Sequence, residues 1–196
     1  MSKQVEFYFD VGSPASYLAW TQIGALAERQ GGTVVYQPML LGGVFKATGN
    51  SSPATVPAKG RYTRVDFQRF ARRYGVPFAH NPFFPINTMQ LMRGAAAYLG
   101  SEQFQPYLKA VFQAMWVDGK DMGNPEVVAE VLGAAGFNIA ELMQKINDQQ
   151  VKDRLRDITE RAIERGVFGA PTCFVGDEMF FGQDRLDFVE EALAEG

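Results

Sequence analysis

Residues Val5 to Asp10 alternate apolar side chains with polar or aromatic ones, and Thr33 to Met39 are rich in Val and Tyr, so both stretches predict β-strands. Between them, Pro14 to Gln30 predicts a helix. Ser13 supplies its cap, Pro14 its first residue, and Gly31-Gly32 its stop. The pattern changes from Gly42 to Gly60, which holds small residues and two prolines. Helical spacing then dominates for about a hundred residues. Phe104, Tyr107, Leu108, Val111, Phe112, Met115 and Trp116 mark one buried face, and Val151, Leu155, Ile158 and Ala162 mark another. Asn124 before Pro125, and Asn138 three residues before Glu141, read as helix starts. This middle block predicts four or more helices.

Strands return at Thr172 to Val175 and Met179 to Phe181. The short turn at Gly176-Asp177 implies an antiparallel hairpin, and a last helix is expected from Asp184 to Ala194. The order β-α-β, helices, β-β-α matches an α/β, thioredoxin-like fold with a large all-helical insertion. Residues 1–42 and 166–196 are assigned to the thioredoxin-like domain, and 43–165 to the helical insertion with its linking segments.

With 196 residues and 46% hydrophobic content, the chain can bury a sizeable core without metals or disulfides. Nineteen basic residues against 22 acidic ones give a net charge of -3, which recommends neither nucleic acid nor an anionic membrane as partner. One cysteine, Cys173, and one histidine, His80, exclude an internal disulfide and a Cys/His zinc cluster. The N-terminus lacks the pattern of a signal peptide, and no apolar run approaches the roughly 20 residues that span a bilayer. A cytoplasmic protein is expected.

The segment Phe9-Asp10-Val11-Gly12-Ser13-Pro14-Ala15-Ser16-Tyr17-Leu18 resembles the active-site turn of DsbA-like proteins, with Ser13 and Ser16 where the two cysteines of Cys-Pro-x-Cys would stand. A serine hydroxyl cannot perform dithiol exchange. Taken with Phe168-Gly169-Ala170-Pro171-Thr172, Phe181-Gly182-Gln183-Asp184-Arg185-Leu186 and the helical middle, the chain resembles kappa-class glutathione transferases and bacterial 2-hydroxychromene-2-carboxylate isomerases. The two ends carry the specific part of this resemblance.

The resemblance implies glutathione as cofactor, Ser13 as the catalytic donor to its thiolate, and a homodimer. Free thiols have pKa values near 8.5, and both a hydroxyl and a helix N-terminus favour the anion. Ala170-Pro171 resembles the cis-proline loop that faces the active-site turn and meets the cysteinyl part of a peptide thiol. Asp184 is implied to pair with the γ-glutamyl amine while the helix start takes its carboxylate, with Gln183 beside it where the family has a smaller residue. Asn50 and Lys59 resemble the loop that closes over glutathione. On local sequence alone, Ser13 and Asp184 are also plain helix caps, Asn50 a turn residue, and Lys59 a solvated charge.

His80-Asn81-Pro82-Phe83-Phe84-Pro85-Ile86-Asn87-Thr88 resembles the stretch that lines the electrophile side in the isomerases. Phe83 and Phe84 suit a flat substrate, and equally a helical core. One departure stands out: Thr55-Val56 occupies the place of a polar and basic pair in the isomerases of naphthalene breakdown. His80 reads as structural, Cys173 as a buried thiol, and Arg61, Arg64, Arg69, Arg72 and Arg73 as a solvated helix face.

These residues imply a glutathione-dependent isomerase, acting through cis-trans isomerisation of an aromatic or conjugated substrate via a glutathione adduct. A kappa-type transferase acting on another electrophile, and a noncatalytic thioredoxin-like binding protein, are the alternatives. Redox catalysis through Cys173 alone is disfavoured, because that residue lies outside the helix-start motif.

Overall fold

A computed structural model describes residues 3–195. The first strand, β1 (Gln4–Phe9), runs through the active-site turn into α1 (Pro14–Arg29), and the chain returns as β2 (Thr33–Pro38) parallel to β1. The hairpin of β3 (Thr172–Val175) and β4 (Glu178–Phe181) completes a four-stranded sheet in the order β2-β1-β3-β4, with β3 antiparallel to both neighbours. Val175 pairs with Glu178 across a two-residue turn whose Gly176 has φ +58. The short-turn hairpin expectation holds: the pairing closes directly around Gly176-Asp177, with the glycine taking the positive φ.

Alternation along β1 builds two cores. Val5, Phe7 and Phe9 point to one face, where they join Leu18 and Ile23 of α1 and the closing helix α9 (Leu186–Glu195). Tyr8 points to the other, against Met39, Val44, Ile158, Ala162 and Phe174. That second face is covered by α8 (Gln149–Glu164), whose Arg165 boundary residue bonds Glu6 and lies 3.7 Å over the Phe174 ring.

Between β2 and β3 the chain is helical: α2 (Leu41–Thr48), α3 (Pro57–Tyr74), α4 (Met89–Tyr98), α5 (Phe104–Trp116), α6 (Pro125–Ala134), α7 (Ile139–Asn147), then α8. The face expected on α5 is wholly buried, from Phe104 to Trp116. Asn124 and Asn138 cap α6 and α7 as expected, accepting from the N–H groups of Glu126 and Glu141. All five arginines of α3 are exposed, in line with a solvated face.

One element was not anticipated and one expectation is corrected. The glycine-rich stretch after Leu40 forms α2, ended by Gly49 at φ 70. The last helix does not begin at Asp184: Gly182 turns the chain out of β4 at φ +103, and Gln183–Arg185 form a 3-10 turn before α9. Asp184 therefore lies inside that tight turn instead of capping an α-helix.

Candidate active site

Ser13 sits where β1 has ended and α1 begins, and its own backbone is extended, as an N-cap requires. Its Oγ accepts the N–H of Ser16 at 3.1 Å and donates to the carbonyl of Ala170 at 3.0 Å. A hydroxyl has one proton and two lone pairs, so capping and donation use different parts of the group. The proton now on Ala170 is the one that a sulfur anion could take by rotation about the Cβ–Oγ bond.

Ala170-Pro171 is a cis peptide, as the sequence led us to expect, and it faces the Ser13 turn; Phe84-Pro85 is also cis, which was not anticipated. Asn50, just beyond α2, reaches the same loop: its amide donates to the Phe168 carbonyl at 2.8 Å, and its Oδ1 accepts from Ser51. Ser13, Asn50 and Ala170 are thus brought to one place by two carbonyls of a single loop. Phe168 and Phe181 pack as a tilted pair at 4.7 Å beside it, both exposed, and the Phe181 ring lies where a side chain on Gly169 would have to be.

Gln183 is buried, and its carbonyl takes the Tyr74 hydroxyl. Burial, and then the charge of Asp187, push that tyrosine up to about 12. Asp184 is exposed and paired with Arg185, so an incoming amine would have to replace that guanidinium. Lys59 lies in the exposed first turn of α3 and is not brought against Ser13 or Asn50 by any hydrogen bond or ion pair among the described residues.

The two candidate electrophile residues part company. Phe83 is 51% exposed, whereas Phe84 packs on His80 and on Trp116, at 5.7 and 6.0 Å. Trp116 in turn donates its indole N–H to the Val11 carbonyl, which ties the aromatic group to the active-site turn. Burial, with the Arg64 charge second, lowers the His80 pKa, and its Nδ1 is buried without a partner among the described residues. Cys173 is buried on β3, and burial pushes its thiol up to about 12, so it offers no thiolate at neutral pH.

Three supporting residues went unread in the sequence. Asp10 is 1% exposed and accepts from the N–H groups of Gly12 and Leu41, both at 2.9 Å. Burial raises its carboxyl above the usual range, against the opposing pull of those two N–H groups and the Thr88 hydroxyl. Asn81 is equally buried; its amide donates to the carbonyls of Met115 and Lys120, and its Oδ1 holds the Phe83 N–H. Tyr74 is the third. A lone acidic residue ending an apolar strand was the available signal for Asp10; nothing local marked the other two.

The family model described as a DSBA-like thioredoxin domain matches residues 4–194. A 2-hydroxychromene-2-carboxylate isomerase of Pseudomonas putida is 38% identical over 196 residues, covering 96% of this chain and 93% of that protein. Glutathione S-transferase kappa 1 of Caenorhabditis elegans is 29% identical, with 97% and 90% covered. Among solved structures, a 2-hydroxychromene-2-carboxylate isomerase superposes with a TM-score of 0.87 at 34% identity, covering 98% of this chain and 95% of the other. The chain belongs to the DsbA-like thioredoxin family, in the branch that holds the 2-hydroxychromene-2-carboxylate isomerases and the kappa-class glutathione transferases.

Proposed function

We propose that this protein is a glutathione-dependent isomerase resembling 2-hydroxychromene-2-carboxylate isomerase, which turns an aromatic or conjugated substrate from cis to trans. The observation that carries this reading is the Ser13 hydroxyl, buried at the start of α1 and already donating its proton to the cis-proline loop. Bound glutathione supplies a thiol whose anion adds reversibly to a conjugated carbon, allowing rotation about the former double bond.

The residues present fit such a guest. Ser13 holds a proton at the position where a sulfur anion gains from the helix N-terminus. The Ala170 main chain offers peptide groups to the cysteinyl part, and Asn50 is bound to the same loop two residues earlier, at Phe168. Asp184 exchanges Arg185 for an amine, Gln183 shapes the pocket floor, and Lys59 closes from the exposed end of α3. Phe84, with Trp116 behind it, forms the flat wall for the electrophile, and Phe83 covers it. The working form is a cytoplasmic homodimer, each chain made of a thioredoxin-like domain, 1–42 and 166–196, and a helical domain, 43–165.

A kappa-type transferase acting on a different electrophile is the second reading. It is favoured by Thr55-Val56, where Thr55 is spent on the Ser52 carbonyl and Val56 is exposed, so no cation stands there to meet a substrate carboxylate. Titration calorimetry with glutathione tests the common core of both: binding at or below millimolar concentration is expected, and no heat at that concentration would overturn it. Turnover of a conjugated cis substrate with glutathione recovered unchanged selects the isomerase, whereas a stable conjugate selects the transferase.

A further inference from the structure

We infer that Asp10 is a positioning residue that fixes the Ser13 turn against α2, and thereby keeps Ser13 and Asn50 in register on one glutathione molecule. The inference rests on the glutathione reading given above, and it concerns a residue that touches no ligand.

Asp10 is the point where three separate segments meet. Its Oδ1 takes the Gly12 N–H of the active-site turn and its Oδ2 takes the Leu41 N–H, and the Thr88 hydroxyl, from the stretch that carries Phe83 and Phe84, favours the same carboxylate. Leu41 is the first residue of α2, and the residue before it, Leu40, has no side-chain oxygen with which to cap. The cap of α2 is therefore supplied from outside the helix, by Asp10 just beyond β1.

The consequences run around a closed circuit. Helix α2 is eight residues long and ends at Gly49; Asn50 follows and binds the Phe168 carbonyl. Two residues later the same loop presents Ala170 to Ser13, and the Ser13 N–H closes on the Asp10 carbonyl at 3.0 Å. Both ends of α2 are thus tied to the Ser13 turn, one through the Asp10 carboxylate and the other through the cis-proline loop. A carboxylate is required for the first tie. Each of its oxygens faces an N–H donor, and an asparagine would turn its own NH₂ group against one of them.

The test uses the full chain with two variants that break the tie from opposite sides. Asp10→Asn removes one acceptor. Leu41→Pro removes the donor without breaking the helix, because proline is tolerated at the first helical position and Leu40 is already extended, as a residue before proline must be. Leu41→Ala controls for the lost side chain. Calorimetry with glutathione is expected to show binding weakened about tenfold in both tie-breaking variants, and unchanged in the control. In an Asn50→Ala background, Leu41→Pro is expected to add less than about twofold, since the contact it misplaces is already gone. Fully additive losses, or wild-type affinity in Leu41→Pro, would overturn the inference. NMR of the ligand-free chain separates this failure from a failure of the glutathione reading. The Asn50 side-chain amide signals should shift in Leu41→Pro, and unshifted signals overturn the positioning role whatever glutathione does.

Discussion

The Ser13 hydroxyl donates to the carbonyl of Ala170, 157 residues away in sequence, across 3.0 Å. This one bond joins the helix that favours an anion to the loop that would hold a peptide thiol. It also sets a competition: a thiolate must be a better acceptor than a backbone carbonyl, which charge-assisted hydrogen bonds make favourable.

Ser13→Ala should therefore separate two effects. Loss of the cap costs about 1 kcal/mol of stability, read by denaturant unfolding. Loss of the donor should raise the pKa of the bound glutathione thiol, followed by thiolate absorbance, and slow turnover roughly a hundredfold while glutathione affinity changes little. A variant with normal turnover would remove Ser13 from the chemistry.

Gly12 is a matter of space. A side chain there would meet the Thr88 Cγ2 at 2.8 Å, closer than packed atoms allow. Gly12→Ala should destabilise the chain by about 1–3 kcal/mol. Thr88→Ser, which deletes that methyl and keeps the hydroxyl near Asp10, should restore much of the loss. Thermal unfolding of the single and double variants checks this, and absence of rescue would mean that the clash lies elsewhere.

Asn81 holds the segment of Phe83 and Phe84 to α5 through buried bonds to the Met115 and Lys120 carbonyls. In Asn81→Ala the Met115 carbonyl and the Phe83 N–H lose their partner, while the Lys120 carbonyl keeps the Met122 N–H, at a cost of about 2–3 kcal/mol. Steady-state kinetics should show a raised KM for the electrophile and an unchanged affinity for glutathione. The opposite split would move the electrophile wall away from this segment.

Cys173 gives the alkaline behaviour a sign. Its thiol keeps its proton in the folded chain up to about 12, against an ordinary value of 9.0. Its contribution is complete below pH 9.0 and is lost as pH rises through the folded value, because the unfolded chain then binds fewer protons. Cys173→Ala should flatten the fall in stability over that range and leave activity at neutral pH unchanged. Native-state alkylation of the wild type should be slow until the chain is unfolded.

What could be read from the sequence follows how local each signal is. The alternation of Val5, Phe7 and Phe9, the α5 face and the Asn124 and Asn138 caps are set by near neighbours, and they stand as expected. Ser13 and Ala170 carried family-specific patterns, and the structure brings them together. Helix α2 was hidden because Gly42 and Gly43 weaken its propensity and its cap comes from Asp10, 31 residues earlier. The start of the last helix was misplaced because Asp184 looks like a cap, whereas Gly182, at φ +103, decides where the chain turns. Asn81 and Tyr74 act on carbonyls of distant segments, and no spacing rule announces such contacts.

The central claim is that Ser13 gives its proton to the sulfur of glutathione. A crystal structure of the glutathione complex measures it directly. The account predicts sulfur within about 3.5 Å of the Ser13 Oγ, with the Ser13–Ala170 bond broken and the Ser16 N–H still on the same oxygen. Glutathione bound with its sulfur turned away from Ser13, and the Ser13–Ala170 bond intact, would contradict it.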